Sequence, residues 1–249
     1  MSRSAWITGG SRGIGFATAE LLVSQGWKVA ITGRDEQAVL DAQTRLGANA
    51  MAVVADVTDR KSMANATRRI LNWGGQIHAL VANAGANTPR RRWGEVTPDE
   101  FERVVAANLT GAFVSIDSVL GSMRANGGGR IVVISSFAGW YVTPQPGPAY
   151  TASKAAVRGM VESLNMAEMG NAILATVVCP GEVATPIMQK RVPPPSPASL
   201  ARMLQPQDVA SAIAFVLEQP ARVNINELVI TPSWNNAYNR VPGPSPDPE

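Results

Sequence analysis

Cysteine and histidine are almost absent from this sequence, which holds one of each among its 249 residues. A single cysteine cannot form an intrachain disulfide, and no group of cysteine and histidine residues has the spacing of a zinc site. We therefore expect no bound metal and a reducing, cytoplasmic setting. Cys179 stands just before a Pro180–Gly181 turn and is expected to be an inert core residue.

Charge of either sign is also sparse and nearly balanced. The 22 lysines and arginines exceed the 19 acidic residues by a formal net charge of only +3, which excludes the strongly basic surface typical of nucleic-acid-binding proteins. The densest basic run is Arg90–Arg92. We interpret it as a solvated loop, with a site for an anionic substrate or an acidic partner as the alternative.

Long hydrophobic runs are missing as well. No apolar run reaches the length that a membrane span needs, and the amino terminus "MSRSAWITGG" passes almost directly into an apolar strand without a signal-peptide core. The sequence therefore predicts a soluble protein with no membrane partner.

The sequence does contain short apolar segments that alternate with stretches of helical period. The seven strand candidates are "AWIT", "WKVAIT", "AMAVVA", "IHALVA", "RIVVIS", "ILATVV" and "NELVIT". This alternation predicts an α/β fold: a single doubly wound Rossmann-type domain over residues 1–240, with helices on both faces of a parallel sheet of about seven strands. The proline-rich residues 241–249 are predicted to form a disordered tail.

The segment "TGGSRGIG", Thr8 to Gly15, lies between the first strand and the first helix. Glycines let the backbone approach a pyrophosphate, and the helix start offers amide donors and a positive dipole end. The spacing differs from the G-x-G-x-x-G fingerprint, so a purely structural turn is the alternative. Its position after the first strand favours a nucleotide site, with candidate contacts Gly9, Ser11, Arg12, Gly13, Ile14 and Gly15.

The end of the second strand indicates which nucleotide would bind. The strand "WKVAITG" ends at Gly33 with no carboxylate at its tip to bind a ribose 2′-hydroxyl. Arg34 follows and Arg12 lies in the glycine-rich loop, and two guanidiniums suit a 2′-phosphate. Asp35 is instead placed to cap the next helix. We therefore expect NADP(H) rather than NAD(H), the alternative being that both arginines are ordinary surface residues.

Tyr150 and Lys154 stand four residues apart in "PAYTASKAAVRG", and therefore on one face of a helix. A phenol is a poor base at neutral pH because its ordinary pKa is about 10, but a nearby cation favours the phenolate. The pair could thus exchange a proton with an alcohol or a carbonyl oxygen. Taken alone, the same spacing is common on helix surfaces.

The order of the motifs decides between these interpretations. The pieces "TGGSRGIG", "ADVTD", "ANAG", "NLTGAF", "ISSFAG", "YTASK" and "CPGEVATPI" follow one another along the chain. From Thr8 to about Pro232, the sequence resembles the classical short-chain dehydrogenase/reductase family. The resemblance implies that Tyr150 is the general acid/base and that Lys154 binds the nicotinamide ribose. It also implies that Ser136, chosen over Ser135, positions the substrate oxygen and that Asn108 supports a proton relay.

Further roles follow from the same resemblance. Asp56 and Val57 match the adenine contact, and Asn83, Ala84 and Gly85 match the turn beside the cofactor. The nicotinamide amide site corresponds to Thr185 and the backbone of Val183, preceded by Pro180 and Gly181. Bland alternatives are that Asn108 satisfies backbone groups, that Ser136 is a strand-end hydroxyl and that Asp56 caps a helix.

Residues after the fifth and sixth strands should line the substrate pocket, with Gln189–Ser199 as a mobile lid. They are apolar or aromatic with few charges, so we expect a small to medium neutral or partly aromatic ketone or alcohol. The candidates, besides Ser136 and Tyr150, are Phe137, Trp140, Tyr141, Gln145 and Met188.

The leading hypothesis is an NADP(H)-dependent oxidoreductase that interconverts a carbonyl compound and its alcohol. A 3-oxoacyl carrier-protein reductase, with Arg90–Arg92 meeting an acidic carrier, is one alternative, and a non-catalytic NADPH-binding sensor is another. Two predicted helices are apolar over wide arcs. Because such helices pair between subunits in the resembling family, we expect a homodimer or homotetramer.

Overall fold

The computed structural model describes residues 3–190, 194–235 and 238. The predicted tail, residues 241–249, lies outside the described residues, as do residues 191–193 of the predicted lid. The strands within these residues are β1 Ser4–Thr8, β2 Lys28–Gly33, β3 Ala50–Val54, β4 Ala79–Ala82, β5 Gly129–Ile134, β6 Ile173–Pro180 and β7 Glu227–Ile230.

Helices separate most of these strands. They are α1 Gly13–Ser24, α2 Glu36–Leu46, α3 Arg60–Gly74, α4 Pro98–Val105, α5 Gly111–Ala125, α6 Phe137–Trp140, α7 Pro148–Glu168, α8 Pro197–Arg202 and α9 Pro206–Leu217. A π-helical turn, Ala106–Thr110, joins α4 to α5, and 3₁₀ turns cover Met169–Asn171 and Pro186–Lys190.

The strands form one parallel sheet in the order β3-β2-β1-β4-β5-β6-β7. All seven predicted strands are present, and the predicted doubly wound fold is confirmed. The order reverses between β1 and β4, which makes this pair the switch point at which such folds bind ligands.

Two hydrophobic clusters cover the two faces of the sheet. Alternate strand residues point to opposite faces, so Ile7 packs into one cluster and its neighbour Trp6 into the other. One face carries α1, α2 and α9, and the other carries α3, α5 and α7. Most residues of β1 to β6 are buried, whereas the edge strand β7 is only partly buried. The strands are near-continuous apolar runs, which is why they could be found in the sequence.

Side-chain caps set the starts of several helices at the carboxyl edge of the sheet. The predicted cap at Asp35 is confirmed, because its carboxylate accepts the Ala38 N–H at 3.1 Å. At α4, the hydroxyl of Thr97 accepts the Glu100 N–H while the Glu100 carboxylate accepts the Thr97 N–H, a reciprocal capping box. These caps fix the residues at which α2 and α4 begin.

The helix that contains α4, the π turn and α5 is continuous over Pro98–Ala125. An 18-residue window of it has a mean hydropathy of 1.5, so by length and composition this helix could cross a membrane, contrary to the expectation that no apolar stretch is long enough. Inside the protein 44% of that window is buried, and the core helix of a soluble protein passes the same test.

Candidate active site

The glycine-rich loop after β1 is fastened to the end of β4 by Asn83. The Asn83 amide nitrogen donates 3.0 Å hydrogen bonds to the carbonyl oxygens of Thr8 and Gly9. The Thr8 hydroxyl in turn accepts the backbone N–H groups of Asn83 and Ala84, both at 3.1 Å. The loop is therefore held at the switch point by the "NAG" turn that the sequence placed beside a cofactor.

The start of α1 fits the pyrophosphate of a dinucleotide. Gly9 and Gly13 have φ angles of 65° and 55°, a conformation that favours glycine. A side chain on Gly15 would lie 2.4 Å from the Gly9 carbonyl oxygen, so backbone packs directly on backbone there. No side chain caps α1 and no acidic residue stands in its first turn. Its first amides are therefore left for an anionic group.

The ends of β2 and β3 carry the residues predicted to choose between NADP(H) and NAD(H). A guanidinium nitrogen of Arg34 lies 3.9 Å from a carboxylate oxygen of Asp56, and both side chains reach solvent. Asp56 does not cap α3: it accepts the N–H and hydroxyl of Thr58, while Asp59 is the cap. Arg12 is exposed at the start of α1. The residue at the tip of β2 is Gly33, so no carboxylate stands there to bind a ribose 2′-hydroxyl.

The loop after β6 reaches across to the glycine-rich loop. The Gly181 N–H donates to the Ile230 carbonyl oxygen, and the Thr185 N–H donates to that of Val183. A side chain on Gly13 would lie 3.1 Å from Cγ2 of Thr185. The residues predicted to hold the nicotinamide end thus border the phosphate loop, as one bound dinucleotide requires.

Asn108 lies in the π-helical turn and is almost fully buried. Its Oδ1 accepts the Ala86 N–H at 2.7 Å, and its Nδ2 donates to the Ala86 carbonyl oxygen and to the Ser153 hydroxyl. The Ser153 hydroxyl also donates to the Tyr150 carbonyl oxygen. Asn108 therefore forms hydrogen bonds with backbone groups, as the alternative interpretation of this residue predicted. These bonds link the segment after β4 to the helix that contains Tyr150.

Lys154 is buried in α7, one helical turn after Tyr150. Its Nζ donates a 2.7 Å hydrogen bond to the Ile134 carbonyl oxygen at the end of β5 and lies 5.8 Å from the centre of the Tyr150 ring. Desolvation lowers the pKa of Lys154 to about 8. A side chain on Gly85 would lie 3.4 Å from this Nζ and 3.0 Å from Oδ1 of Asn108. Glycine therefore keeps open the gap between the two polar groups.

The serine pair after β5 has divided roles. Ser135 is buried, and its hydroxyl donates to the Lys154 carbonyl oxygen at 2.7 Å, which fixes β5 to α7. The Ser136 hydroxyl is partly exposed and accepts the Ala138 N–H at the start of α6. Because this bond uses a lone pair and not the proton, the Ser136 O–H remains available as a donor.

The predicted substrate residues divide into buried and exposed ones. Phe137 and Met188 are buried, whereas Trp140, Tyr141 and Gln145 are exposed. The rings of Trp140 and Tyr141 pack on Phe137 with centroids 5.6 and 5.7 Å apart. Gln145 shares the loop that follows α6. The side chain of Gln189 in the predicted lid lies outside the described residues.

Residues 3–195 match the family described as short chain dehydrogenase, which is well over half of the chain. The chain belongs to the short chain dehydrogenase family. An uncharacterized oxidoreductase from Staphylococcus saprophyticus is 34% identical to it over 233 residues, which cover 92% of this chain and 96% of that protein. The resemblance drawn from the order of the motifs is thereby confirmed.

Several solved structures are similar in fold to this chain over more than 90% of its length. Levodione reductase has a TM-score of 0.85 at 25% identity, covering 92% of this chain and 96% of its own. The alcohol dehydrogenase from Thermococcus sibiricus complexed with 5-hydroxy-NADP has a TM-score of 0.82 at 26% identity, covering 94% and 98%. The 3-ketoacyl-(acyl-carrier-protein) reductase from Brucella melitensis complexed with NADH has 0.82 at 26%, covering 91% and 96%. The chain is thus a nucleotide-binding oxidoreductase, and among its neighbours one is complexed with an NADP derivative and another with NADH.

Two residues of this short-chain dehydrogenase that contact the predicted site were missed in the sequence. Ser153 connects Asn108 to Tyr150 and could have been suspected, since it precedes Lys154 in the same motif. Tyr238 packs its ring edge-on against Phe137, 5.6 Å between centroids and 82° between planes. It follows the last strand, and no local pattern marks it.

Most of the basic run Arg90–Arg92 forms hydrogen bonds within its own loop. Arg90 forms a paired hydrogen bond with the buried Glu100 carboxylate, and this lowers the pKa of Glu100 to about 2. Arg91 donates to the Thr88 carbonyl oxygen, and Arg92 is exposed. Two of the three arginines therefore brace the loop between β4 and α4, which neither sequence interpretation had foreseen. Cys179 is buried, as expected, and desolvation raises its pKa to about 12.

Proposed function

We propose that this short-chain dehydrogenase interconverts a small to medium carbonyl compound and its alcohol with NADP(H), and that Tyr150 is its general acid/base. The observation that carries the proposal is the buried Lys154 ammonium beside the Tyr150 ring, at the carboxyl edge of the sheet. With its pKa near 8, Lys154 keeps its charge at neutral pH, and in a desolvated site that charge favours a phenolate.

The chain's own groups divide the work around the reacting oxygen. A bound nicotinamide would supply the hydride for reduction or accept it in oxidation. Tyr150 donates its phenolic proton to the carbonyl oxygen in the first direction and takes the alcohol proton in the second. Ser136 directs its free O–H to the same oxygen, and Lys154 holds the phenolate charge that Tyr150 acquires. One hydride and one proton thus convert the ketone to the alcohol.

Replacing Tyr150 with phenylalanine tests this assignment. Tyr150→Phe removes only the ionisable hydroxyl, so NADPH binding should be retained while turnover falls by about 100-fold or more. The measurement combines NADPH oxidation over a panel of ketones and aldehydes with a fluorescence titration of NADPH. Turnover close to that of the natural chain would remove Tyr150 from the chemistry.

Arg34 and Arg12 support NADP(H) as the preferred nucleotide. Both are exposed. Arg34 directly follows Gly33, which offers no carboxylate to a ribose 2′-hydroxyl, and Arg12 directly follows Ser11, whose hydroxyl would lie 3.6 Å from a side chain on Gly33. A guanidinium pairs well with a phosphate dianion. Arg34→Asp combined with Arg12→Ala should shift the ratio of kcat/KM for NADPH over NADH toward NADH by about tenfold or more. Arg68→Ala on α3 is the matched control, and an unchanged ratio in the double variant would contradict the preference.

A carrier-linked substrate has less support. A relative with that activity is structurally similar, but Arg90 is hydrogen-bonded to Glu100 and Arg91 to the Thr88 carbonyl oxygen, so both are held within their own loop. The non-catalytic sensor is disfavoured by the clustering of Asn108, Ser136, Tyr150 and Lys154.

The proposal extends to assembly and location. The apolar helices α5 and α7 leave exposed apolar side chains on the surface, including Phe113 and Met166, which fits a homodimer or homotetramer. A cytoplasmic location is supported by a single, buried and unpaired cysteine.

A further inference from the structure

Phe137 is buried without belonging to the hydrophobic core on either face of the sheet. It is 6% exposed and absent from both core clusters. It directly follows Ser136, so it lies on the catalytic edge above the strands. Three aromatic rings pack against it: the centres of Trp140, Tyr141 and Tyr238 all lie between 5.6 and 5.7 Å from its ring centre.

Tyr238 brings a remote part of the chain to this edge. Its backbone N–H donates a 2.9 Å hydrogen bond to the Asn235 carbonyl oxygen. Its ring meets Phe137 edge-on and meets Tyr141 at 6.2 Å with planes 70° apart. Edge-to-face geometry at these distances is the favourable arrangement for aromatic pairs. Tyr238 is thereby placed beside the residue that follows Ser136.

The rings around Phe137 remain partly open. Trp140, Tyr141 and Tyr238 are 42%, 44% and 55% exposed. Each therefore keeps apolar surface accessible to solvent while it packs against Phe137. None of the four rings carries a formal charge at neutral pH. We define Phe137, Trp140, Tyr141 and Tyr238 as the aromatic wall.

We infer that Tyr238 is a specificity-determining residue and that the aromatic wall selects flat aryl or cyclic carbonyl compounds over linear or anionic ones. A flat ring bound beside Ser136 would pack on these faces with the same geometry that the rings use among themselves. A linear chain loses more rotational freedom for the same contact, and a carboxylate would be desolvated without a partner. The inference rests on the proposed function, because it concerns the substrate of the same site.

Two ketones of eight carbons, acetophenone and 2-octanone, provide the test. The natural chain should have the higher kcat/KM for acetophenone. Tyr238→Leu keeps an apolar side chain but removes the ring, and should lower kcat/KM for acetophenone by about tenfold while leaving 2-octanone within about twofold. Tyr238→Phe should behave like the natural chain. Phe215→Leu on α9 is the matched control, since Phe215 is also 55% exposed.

The outcomes separate this inference from the proposed function. If ketones are reduced but Tyr238→Leu leaves the ratio of the two kcat/KM values unchanged, or lowers both equally, the inference is wrong and the function stands. If the natural chain reduces no carbonyl compound, the function fails. In that case, calorimetry measures the binding of acetophenone and 2-octanone to the NADPH-loaded natural chain and to NADPH-loaded Tyr238→Leu, and decides the inference alone. Tighter binding of acetophenone by the natural chain that is lost in the variant supports the inference. The same relative affinity for the two ketones in both proteins overturns it.

Discussion

Gly15 is the residue at which the phosphate loop has no room for a side chain. A methyl group there would lie 2.4 Å from the Gly9 carbonyl oxygen and 2.6 Å from Nδ2 of Asn83, the two atoms whose contact holds the loop in place. Gly15→Ala should therefore weaken NADPH binding by about tenfold or more and destabilise the fold by about 1–3 kcal/mol. Fluorescence titration and urea unfolding measure the two effects.

Gly121→Ala is the control for this substitution, because Gly121 in α5 has no atom within 4 Å of the added methyl group. Alanine there should raise the free energy of unfolding by up to about 1 kcal/mol through helix propensity and leave NADPH affinity as it was. Unchanged NADPH affinity in Gly15→Ala would contradict the close packing of the loop.

His78 makes the amino ends of the strands, opposite the proposed active site, sensitive to acid. Its Nδ1 accepts the Ser4 N–H at 2.9 Å, which requires the unprotonated nitrogen, and desolvation together with nearby Arg3 lowers its pKa below the ordinary value. The unfolded chain binds this proton at about pH 6.5, so the stability that His78 contributes is complete above that pH and is lost as the pH falls below it.

Urea unfolding at about pH 7.5 and about pH 5.5 measures this dependence. Asparagine keeps an acceptor near the Nδ1 position but does not titrate, so His78→Asn should lose less stability across this interval than the natural chain. The difference should approach the contribution of one hydrogen bond, about 1 kcal/mol. Parallel losses in both proteins would show that other groups cause the acid sensitivity.

At the scale of whole elements, the contact between α6 and α7 sets the distance between Ser136 and Tyr150. α6 has only four residues, and Gly139 within it packs on the backbone of α7: a methyl group on Gly139 would lie 2.6 Å from the Lys154 carbonyl oxygen and 2.7 Å from the Ser135 hydroxyl. Gly139→Ala should displace α6, and with it the hydroxyl of Ser136, from Tyr150.

The expected result for Gly139→Ala is a fall in kcat of about 10- to 100-fold with NADPH affinity retained, because misplacement of a positioned group acts on the chemical step. Gly159→Ala in α7, where nothing lies within 4 Å, is the matched control. A loss of NADPH binding equal to the loss of kcat would instead indicate that the whole site has collapsed.

Elements of this size also mark the limit of what the sequence could predict. The seven strands were predictable because each is a short apolar run, a property of local composition, and all but the edge strand β7 are mostly buried. α6 and the π turn at Asn108 span four and five residues, too few for a period to be recognised. The Arg90–Glu100 pair and the Tyr238–Phe137 contact were not predictable either, since they join residues that only the folded chain brings together.

At the scale of the whole molecule, the apolar helix Pro98–Ala125 leaves part of its outer face exposed. Phe113 is 54% exposed and borders a groove of about 380 Å³ that Arg60 and Asp117 also line. An apolar helix with charged groups beside its exposed ring suits a second protein surface better than hydrocarbon, where those charges would be costly. We expect this face to be covered by another copy of the chain.

Phe113→Arg tests that expectation. In a two-fold interface the substitution acts twice, each time losing about 1.5–3 kcal/mol of apolar burial and adding a charge, so the natural oligomer should dissociate to a smaller species. Sedimentation velocity would show the change, with Leu40→Arg on α2 as the control, because Leu40 is a comparably exposed apolar side chain on another helix. A natural chain that sediments as a monomer and floats with lipid vesicles would instead assign the outer face of Pro98–Ala125 to a membrane.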